Sequence, residues 1–530
     1  MPLSQVRPGM SCTSLSVIRG TAVSEFDVDV VDVIRGEAAA YGPRILIHVS
    51  GPAVDATGIG PGFSGSPIYC PDPAGAARVV GAISESVGQY GNHVALATPI
   101  EEMLGVSPTP PPRARKAPAL LRVAQPIATP LTVSGLSGPV RRAALAGAAR
   151  AGVPLAVAPP GPASSYAPYD LTPGTSVAAG LVSGDLTLSA IGTVTYRDGP
   201  KLWAFGHPFE AVGPRSLPLL DAYVYSIIDN PLGFEDAITY KLASAGRPVG
   251  TLTNDGLSAI AGQLGSPPPT IPLTVFARDL TSKRTHTIHA QVSDERQLDL
   301  GSSLGLGAEF ALSDAIVGAL QAEPFEMTAR TCLRVRVRQA RKPLGFCKRY
   351  FDPFAMFVDV DQATSLIDGY KFGPLDIRDV SIRTGVRAGV REAFILGAAA
   401  PRRVRPGQRI RVRLRLRHSR AGRFRKSFTF RVPRDAKPGR RTLTVRGSGS
   451  EDASLEAIFA FLFGEGGGQS RPPKSVDELS ARIAALGTRD GVRATLERKG
   501  RGPIVLPSDE VKIRGKTRVP LIVSRRAKRS

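Results

Sequence analysis

Apolar and polar residues alternate over much of this chain, the two-residue period of a half-buried strand. In "EFDVDVVDVI", Phe26, Val28 and Val30 alternate with Asp27 and Asp29. "RILIHVS" and "ARVVGAIS" predict two more strands, with "GIGPGFSGSPIYC" (58–70) between them and a short helical turn at "TPIEEMLG". Proline-rich "VSPTPPPRARKAPA" (106–119) cannot be a core strand and reads as a connector. "VRRAALAGAARAG" predicts a helix ending at glycine. "SAIGTVTYRDGPKLWAFGHPF" (189–209) predicts a hairpin turning at Asp198-Gly199, and β patterning continues to about residue 280. Helices are expected at 313–322, 454–464 and 475–486, the last with Ser475 and Glu478 as a capping box.

The fold class expected is therefore mainly β, two strand-rich blocks followed by a β-sandwich-like region with a few short helices. One block spans 1–105 and a second 188–280, separated by the 106–130 linker and a small α/β insert over 131–187. A mixed region follows over 281–465, with a sandwich at about 375–450. Residues 466–530 read as linker, short helix and basic tail. At 530 residues the chain is too long for one core. Its 42% apolar and 21% charged residues suit a soluble globular protein, and no run of 18 apolar residues would span a membrane.

Net charge is +23, with much of the excess in 401–441. There arginine alternates with Ile410, Val412, Leu414 and Leu416, which favours a solvated strand face over a polyanion site. No helix-turn-helix, zinc-finger or RNA-binding aromatic signature accompanies it, so no nucleic-acid partner is expected. The four cysteines, Cys12, Cys70, Cys332 and Cys347, form no C-x-x-C pair, so neither metal nor cofactor is expected. Cys332 and Cys347 flank a hairpin-length segment, and Cys12 and Cys70 lie near the Ser64 region. Two disulfides and four buried thiols both remain open.

Ser64 lies between Gly62-Phe63 and Gly65, followed by Ser66 and Pro67. Such a stretch is either a tight turn or a loop that aims backbone N–H groups at an oxyanion; it resembles the nucleophile turn of chymotrypsin-like serine peptidases, which implies the amides of Gly62 and Ser64 as donors. A serine nucleophile needs a base, usually histidine. Of six histidines, His48 is mid-strand, His93 enters a strand, and His418 belongs to the arginine face. His286 and His289 face opposite sides of a strand, a poor metal pair. His207, in "WAFGHPF", stands at a strand-to-loop corner from which it can face a neighbouring loop.

"TGIGPGFSGSPIY", "VVGAISESVG" and "ATPIEEML" resemble the serine segment of the SpoIVB peptidase family. "IGTVTYRDGPKLWAFGHPF" and "RPVGTLTNDGLSAIAGQLG" resemble its histidine segment. The resemblance covers roughly 1–106 and 188–275 and implies a chymotrypsin-like barrel core with Ser64 as nucleophile and His207 as base. The two segments stand in permuted order, serine first. Where the family carries its acid, this chain reads "HVSGPAVDATG", leaving Asp55 as a displaced candidate. No PDZ-type domain is evident. The resemblance implies a protein or peptide substrate, narrow specificity that can include self-cleavage, and action outside the cytoplasmic membrane. Met1 leads into "PLSQVRPGMSCTSLSV" without an export leader, so the start is expected upstream or export by another route. The alternative is a catalytically degenerate envelope or cell-surface binding protein on a peptidase fold. Nothing in the chain specifies its oligomeric state.

Overall fold

The computed structural model describes residues 1–530 except 36–41, 88–92, 111–130, 160–165, 230–238, 324–325, 352, 420–421, 448–470, 488–490, 497–503, 508–510 and 525–530. The expected helix at 454–464, most of the proline-rich connector and the final basic residues lie outside the described residues. The chain divides into two compact units. The first comprises Met1–Thr274 and Ile288–Asp314; the second comprises Val275–Thr287 and the described residues from Ala315 onward.

The mainly β class holds. In the first unit, β1 (Ser11–Arg19), β2 (Ala22–Ile34), β3 (Arg44–Ser50), β4 (Pro67–Pro71), β5 (Ala77–Ser86) and β6 (Val94–Pro99) close a barrel in the order β1-β2-β3-β6-β5-β4. Strand β4 pairs back onto β1, so β4-β1-β2-β3 form a Greek key. The alternation read from sequence explains the barrel: Phe26, Val28 and Val30 are buried with Ile45, Ile47 and Val49 around Phe63, while Asp27 and Asp29 face water. Cys12 and Cys70 are joined as a disulfide across β1 and β4. Helix α1 (Ile100–Leu104) ends this half.

Strand β7 (Leu131–Ser134), helix α2 (Gly138–Ala151) and β8 (Leu155–Ala158) form the small α/β element, with Gly152 at φ 67° ending the helix as expected. Next come β9 (Ser176–Gly184), β10 (Thr187–Asp198), β11 (Lys201–Ala204), β12 (Gly213–Ile228), β13 (Tyr240–Asp255) and β14 (Ile260–Leu264). They pair in the order β9-β12-β13-β14-β11-β10, and β10 pairs again with β9, so this ring of antiparallel strands also closes. Counted from its own first strand, the ring has the strand order of the first barrel. Its first strand, β9, lies within the segment read as insert. Strands β7 and β8 extend from β10, and β16 (Thr285–Ser293) pairs with β9.

Elements of the second unit include β15 (Thr270–Asp279), which begins in the first, β17 (Met327–Val337), β18 (Leu344–Tyr350) and β19 (Ile377–Ala388), in the order β18-β17-β19-β15. The Cys332–Cys347 disulfide ties β17 to β18. The helix expected at 313–322 begins earlier, as α3 (Leu304–Leu320). A further helix, α4 (Pro353–Asp368), lacks a sequence counterpart because its apolar positions run nearly all round rather than along one stripe.

The β-sandwich is present and reaches the C-terminal region. One sheet contains β20 (Glu392–Ala399), β22 (Arg409–His418), β23 (Arg423–Arg431) and β27 (Lys512–Arg514). The other contains β21 (Arg403–Val404), β24 (Gly439–Arg446), β25 (Gly491–Leu496), β26 (Ile504–Pro507) and β28 (Lys516–Val523). Both sheets contribute to one core, in which Ile410, Val412, Leu414 and Leu416 are buried while the intervening arginines are exposed. Helix α5 (Val476–Leu486) carries the expected cap: Glu478 N donates to Ser475 Oγ at 3.1 Å, and Glu478 Oε2 accepts from Lys474 N at 3.0 Å. Ser475→Ala is expected to destabilise the second unit by about 1 kcal/mol, read as a lower urea midpoint.

Candidate functional site

Ser64 lies on the connection between the third and fourth strands of the first barrel, and His207 on the corresponding connection of the second. Gly62 and Gly65 flank the serine at φ 97° and 93°, a left-handed backbone that other residues rarely adopt. A Cβ on Gly65 would stand 2.0 Å from Thr193 O and 2.5 Å from Phe205 N, so the serine loop and the histidine hairpin meet backbone to backbone.

Hydrogen bonds thread the loop into both barrels. Thr193 N donates to Ser64 O at 2.8 Å, and Gly65 N to Ile83 O at 2.7 Å. Thr193 Oγ1 donates to Gly62 O at 2.9 Å and Thr195 Oγ1 to Gly65 O at 2.7 Å. Among the described residues, the Gly62 and Ser64 amides donate to no protein acceptor. Ser64 Oγ is buried and has no hydrogen-bond partner among the described residues, so it is not bonded to His207.

Phe205 and Gly206, at φ 73° and 70°, turn the chain sharply after β11. Thr98 Oγ1 donates to Gly206 O at 2.6 Å, and a Cβ on Gly206 would lie 3.0 Å from Ile83 O. The Ile83 carbonyl thus touches both motifs. His207 is 6% exposed, and its Nδ1 lies 2.7 Å from Pro208 O. A carbonyl only accepts, so Nδ1 carries the proton and, in the neutral ring, Nε2 is the acceptor. Burial holds the imidazole pKa below its ordinary value, against the opposing effects of Pro208 O and Glu85. Burial therefore favours the neutral imidazole.

Asp55 stands apart. It is exposed, and its Oδ1 accepts from Gly51 N at 2.7 Å, closing the turn that leads into the serine loop. Glu85, whose charge opposes the effect of burial on the His207 pKa, is paired with Arg44 at 3.1 Å.

Two further groups escape the sequence reading. Asp255, at the end of β13, accepts from Phe209 N and Glu210 N, both at 2.7 Å, and so pins the segment that follows His207. Burial raises its pKa to about 6. Arg215 lies 3.6 Å from Asp255 and bonds Glu295 through Nε and Nη2 at 2.9 and 2.8 Å. Lys241 lies behind the serine loop, its stem against Gly62 and its Nζ 4.6 Å from the centre of the Phe63 ring. Nζ donates to Ser16 Oγ at 2.7 Å and Thr193 Oγ1 at 3.2 Å, and Ser66 Oγ donates to Ser16 Oγ at 2.9 Å. Burial lowers the lysine pKa to about 7. A lone Lys or Asp in a β pattern reads as solvated; what buries these two is packing around the serine loop and the histidine hairpin.

Among the described residues no cluster of His, Cys, Asp and Glu could hold a metal ion, and no helix is long and apolar enough to cross a membrane. Comparison with protein-family models, curated proteins and solved structures yields no match to this chain.

Proposed function

We propose that the chain is a serine endopeptidase of the SpoIVB type, with Ser64 as nucleophile and His207 as base. One observation carries this reading: two closed barrels of the same strand order hold the serine and the histidine on corresponding connections, interlocked at Gly65 and Phe205. Ser64 Oγ attacks the scissile carbonyl carbon and passes its proton to His207 Nε2. The unengaged amides of Gly62 and Ser64 receive the oxyanion, and His207 returns the proton to the leaving amine. Water then hydrolyses the acyl-serine. Asp255, rather than the displaced Asp55, positions the histidine segment through the backbone of residues 209 and 210. The substrate is a protein or peptide. Two disulfides suit action outside the cytoplasm, at the envelope or beyond.

A second reading, a degenerate peptidase fold serving as a binding protein, draws support from the serine. Ser64 Oγ is buried and has no hydrogen-bond partner among the described residues. Fluorophosphonate labelling of the pure protein separates the two. Stoichiometric labelling is expected, lost in Ser64→Ala and slowed at least a hundredfold in His207→Ala, since general-base catalysis contributes about 10²–10⁴. The labelling rate should rise with pH through a midpoint below 6.5, because burial keeps the imidazole neutral. A folded wild-type protein that resists the probe would establish the degenerate reading instead.

A further inference from the structure

The sheet β18-β17-β19-β15 of the second unit bears a concave site of about 560 Å³ rich in arginine. Arg330 and Arg334 come from β17, Arg383 and Arg387 from β19, Arg278 from β15 and Arg349 from β18. Arg391 also lines the site, and no acidic residue does. None of these arginines makes an ion pair among the described residues, although Arg336, just beyond Arg334 on the same strand, is neutralised by Asp379.

Register sharpens the point. Arg330 and Arg349 are direct cross-strand partners, and Cys332, the next residue on that face, is paired with Arg383. Like charges placed opposite each other destabilise a sheet unless something neutralises them. The Cys332–Cys347 disulfide holds β17 against β18 despite the repulsion. Phe276, with the Arg383 guanidinium 6.0 Å from its ring centre, adds an aromatic surface.

The arrangement demands several negative charges in a small volume. An extended acidic peptide presents one carboxylate about every 7 Å on a face, too sparse for this grid of cations. Linked phosphoryl groups carry comparable charge within a few ångströms, and each suits the planar guanidinium fork. We propose that this arginine-lined face of the second unit is a binding site for a compact polyphosphate group, whether a free phosphate chain or the phosphates of a nucleotide.

Calorimetric titration of the full chain with sodium tripolyphosphate, and separately with ATP, tests the site at 50 and 300 mM NaCl. Saturable one-to-one binding is expected, weakened at least tenfold at the higher salt and at least tenfold by Arg330→Gln with Arg383→Gln. Arg411→Gln with Arg415→Gln, on the exposed face of β22, should leave binding unchanged. ATP binding tighter than tripolyphosphate would identify a nucleotide whose base adds contacts; equal or weaker ATP binding would identify the phosphate chain. Should the double variant fail to fold, Arg349→Gln carries the same comparison. No saturable binding, equal loss in the β22 variant, or equal affinity for an octa-aspartate peptide would overturn the proposal.

Discussion

Replacing Glu295 with alanine is expected to destabilise the two-barrel unit by about 3–5 kcal/mol, the largest single loss anticipated here. Arg215 and Glu295 are each 6% exposed, and Asp255 beside them is 1% exposed. Glu295 accepts from Arg215 on both carboxylate oxygens, and its Oε1 also accepts from Ser216 N at 2.7 Å. Removing the carboxylate leaves a buried guanidinium without its main partner and a backbone N–H without an acceptor. Glu210 on the histidine segment, 2.5 Å from Arg215, compensates little because its side chain is half exposed. The loss should appear as a lower urea midpoint for the first unit. Arg215→Met combined with Glu295→Leu should recover part of it, since the charge is then removed rather than stranded. If the single variant matched the wild type, the cluster would not be holding this unit together.

The same cluster links stability to the site. Glu295 holds Arg215, Arg215 stands against Asp255, and Asp255 grips the amides following His207. Loosening this chain leaves His207 its local bond to Pro208 but frees the segment behind it. Fluorophosphonate labelling should therefore fall in Glu295→Ala even at urea concentrations where the variant is fully folded.

Local signals were legible and long-range ones were not. Strands β2 and β22 follow from alternation because each has one wet face, and α5 from its cap and stripe. The barrel closures were not legible: β9 falls in the segment read as insert and β10 largely in the hairpin over 189–209, and nothing local states which strands close a ring. Ser64 and His207 could be singled out because glycine-flanked polar residues at strand ends stand out against β patterning. Asp255, Arg215 and Glu295 could not, being single charged residues whose burial is decided by partners distant in sequence. The exposed arginines of β17 and β19 read like those of β22; their convergence with β15 and β18 is a property of register.

Lys241 provides the second large effect, and its sign is opposite to that of the Glu295 change. In the unfolded chain its amine has a pKa of about 10.4, whereas in the folded unit burial lowers it to about 7. Between these values the unfolded state binds the additional proton. Stability should therefore climb with pH from about 7 to 10, at roughly 1 kcal/mol per pH unit from this group, with the full penalty present below pH 7. Lys241→Met keeps the apolar stem against Gly62 and Phe63 while removing the amine. Ser16 Oγ keeps Ser66, and Thr193 Oγ1 keeps Gly62 O, so neither hydroxyl is stranded. The variant should be more stable than the wild type at pH 7 by a few kcal/mol and should lose this pH slope, as urea midpoints at pH 7 and 9.5 would reveal. An unchanged slope would mean that Lys241 does not titrate in this range. A lysine that costs stability directly behind the serine loop is the kind of residue retained for activity. Lys241→Met should therefore slow Ser64 labelling even as it strengthens the fold, because Nζ donates to Thr193, whose own hydroxyl and amide hold Gly62 O and Ser64 O.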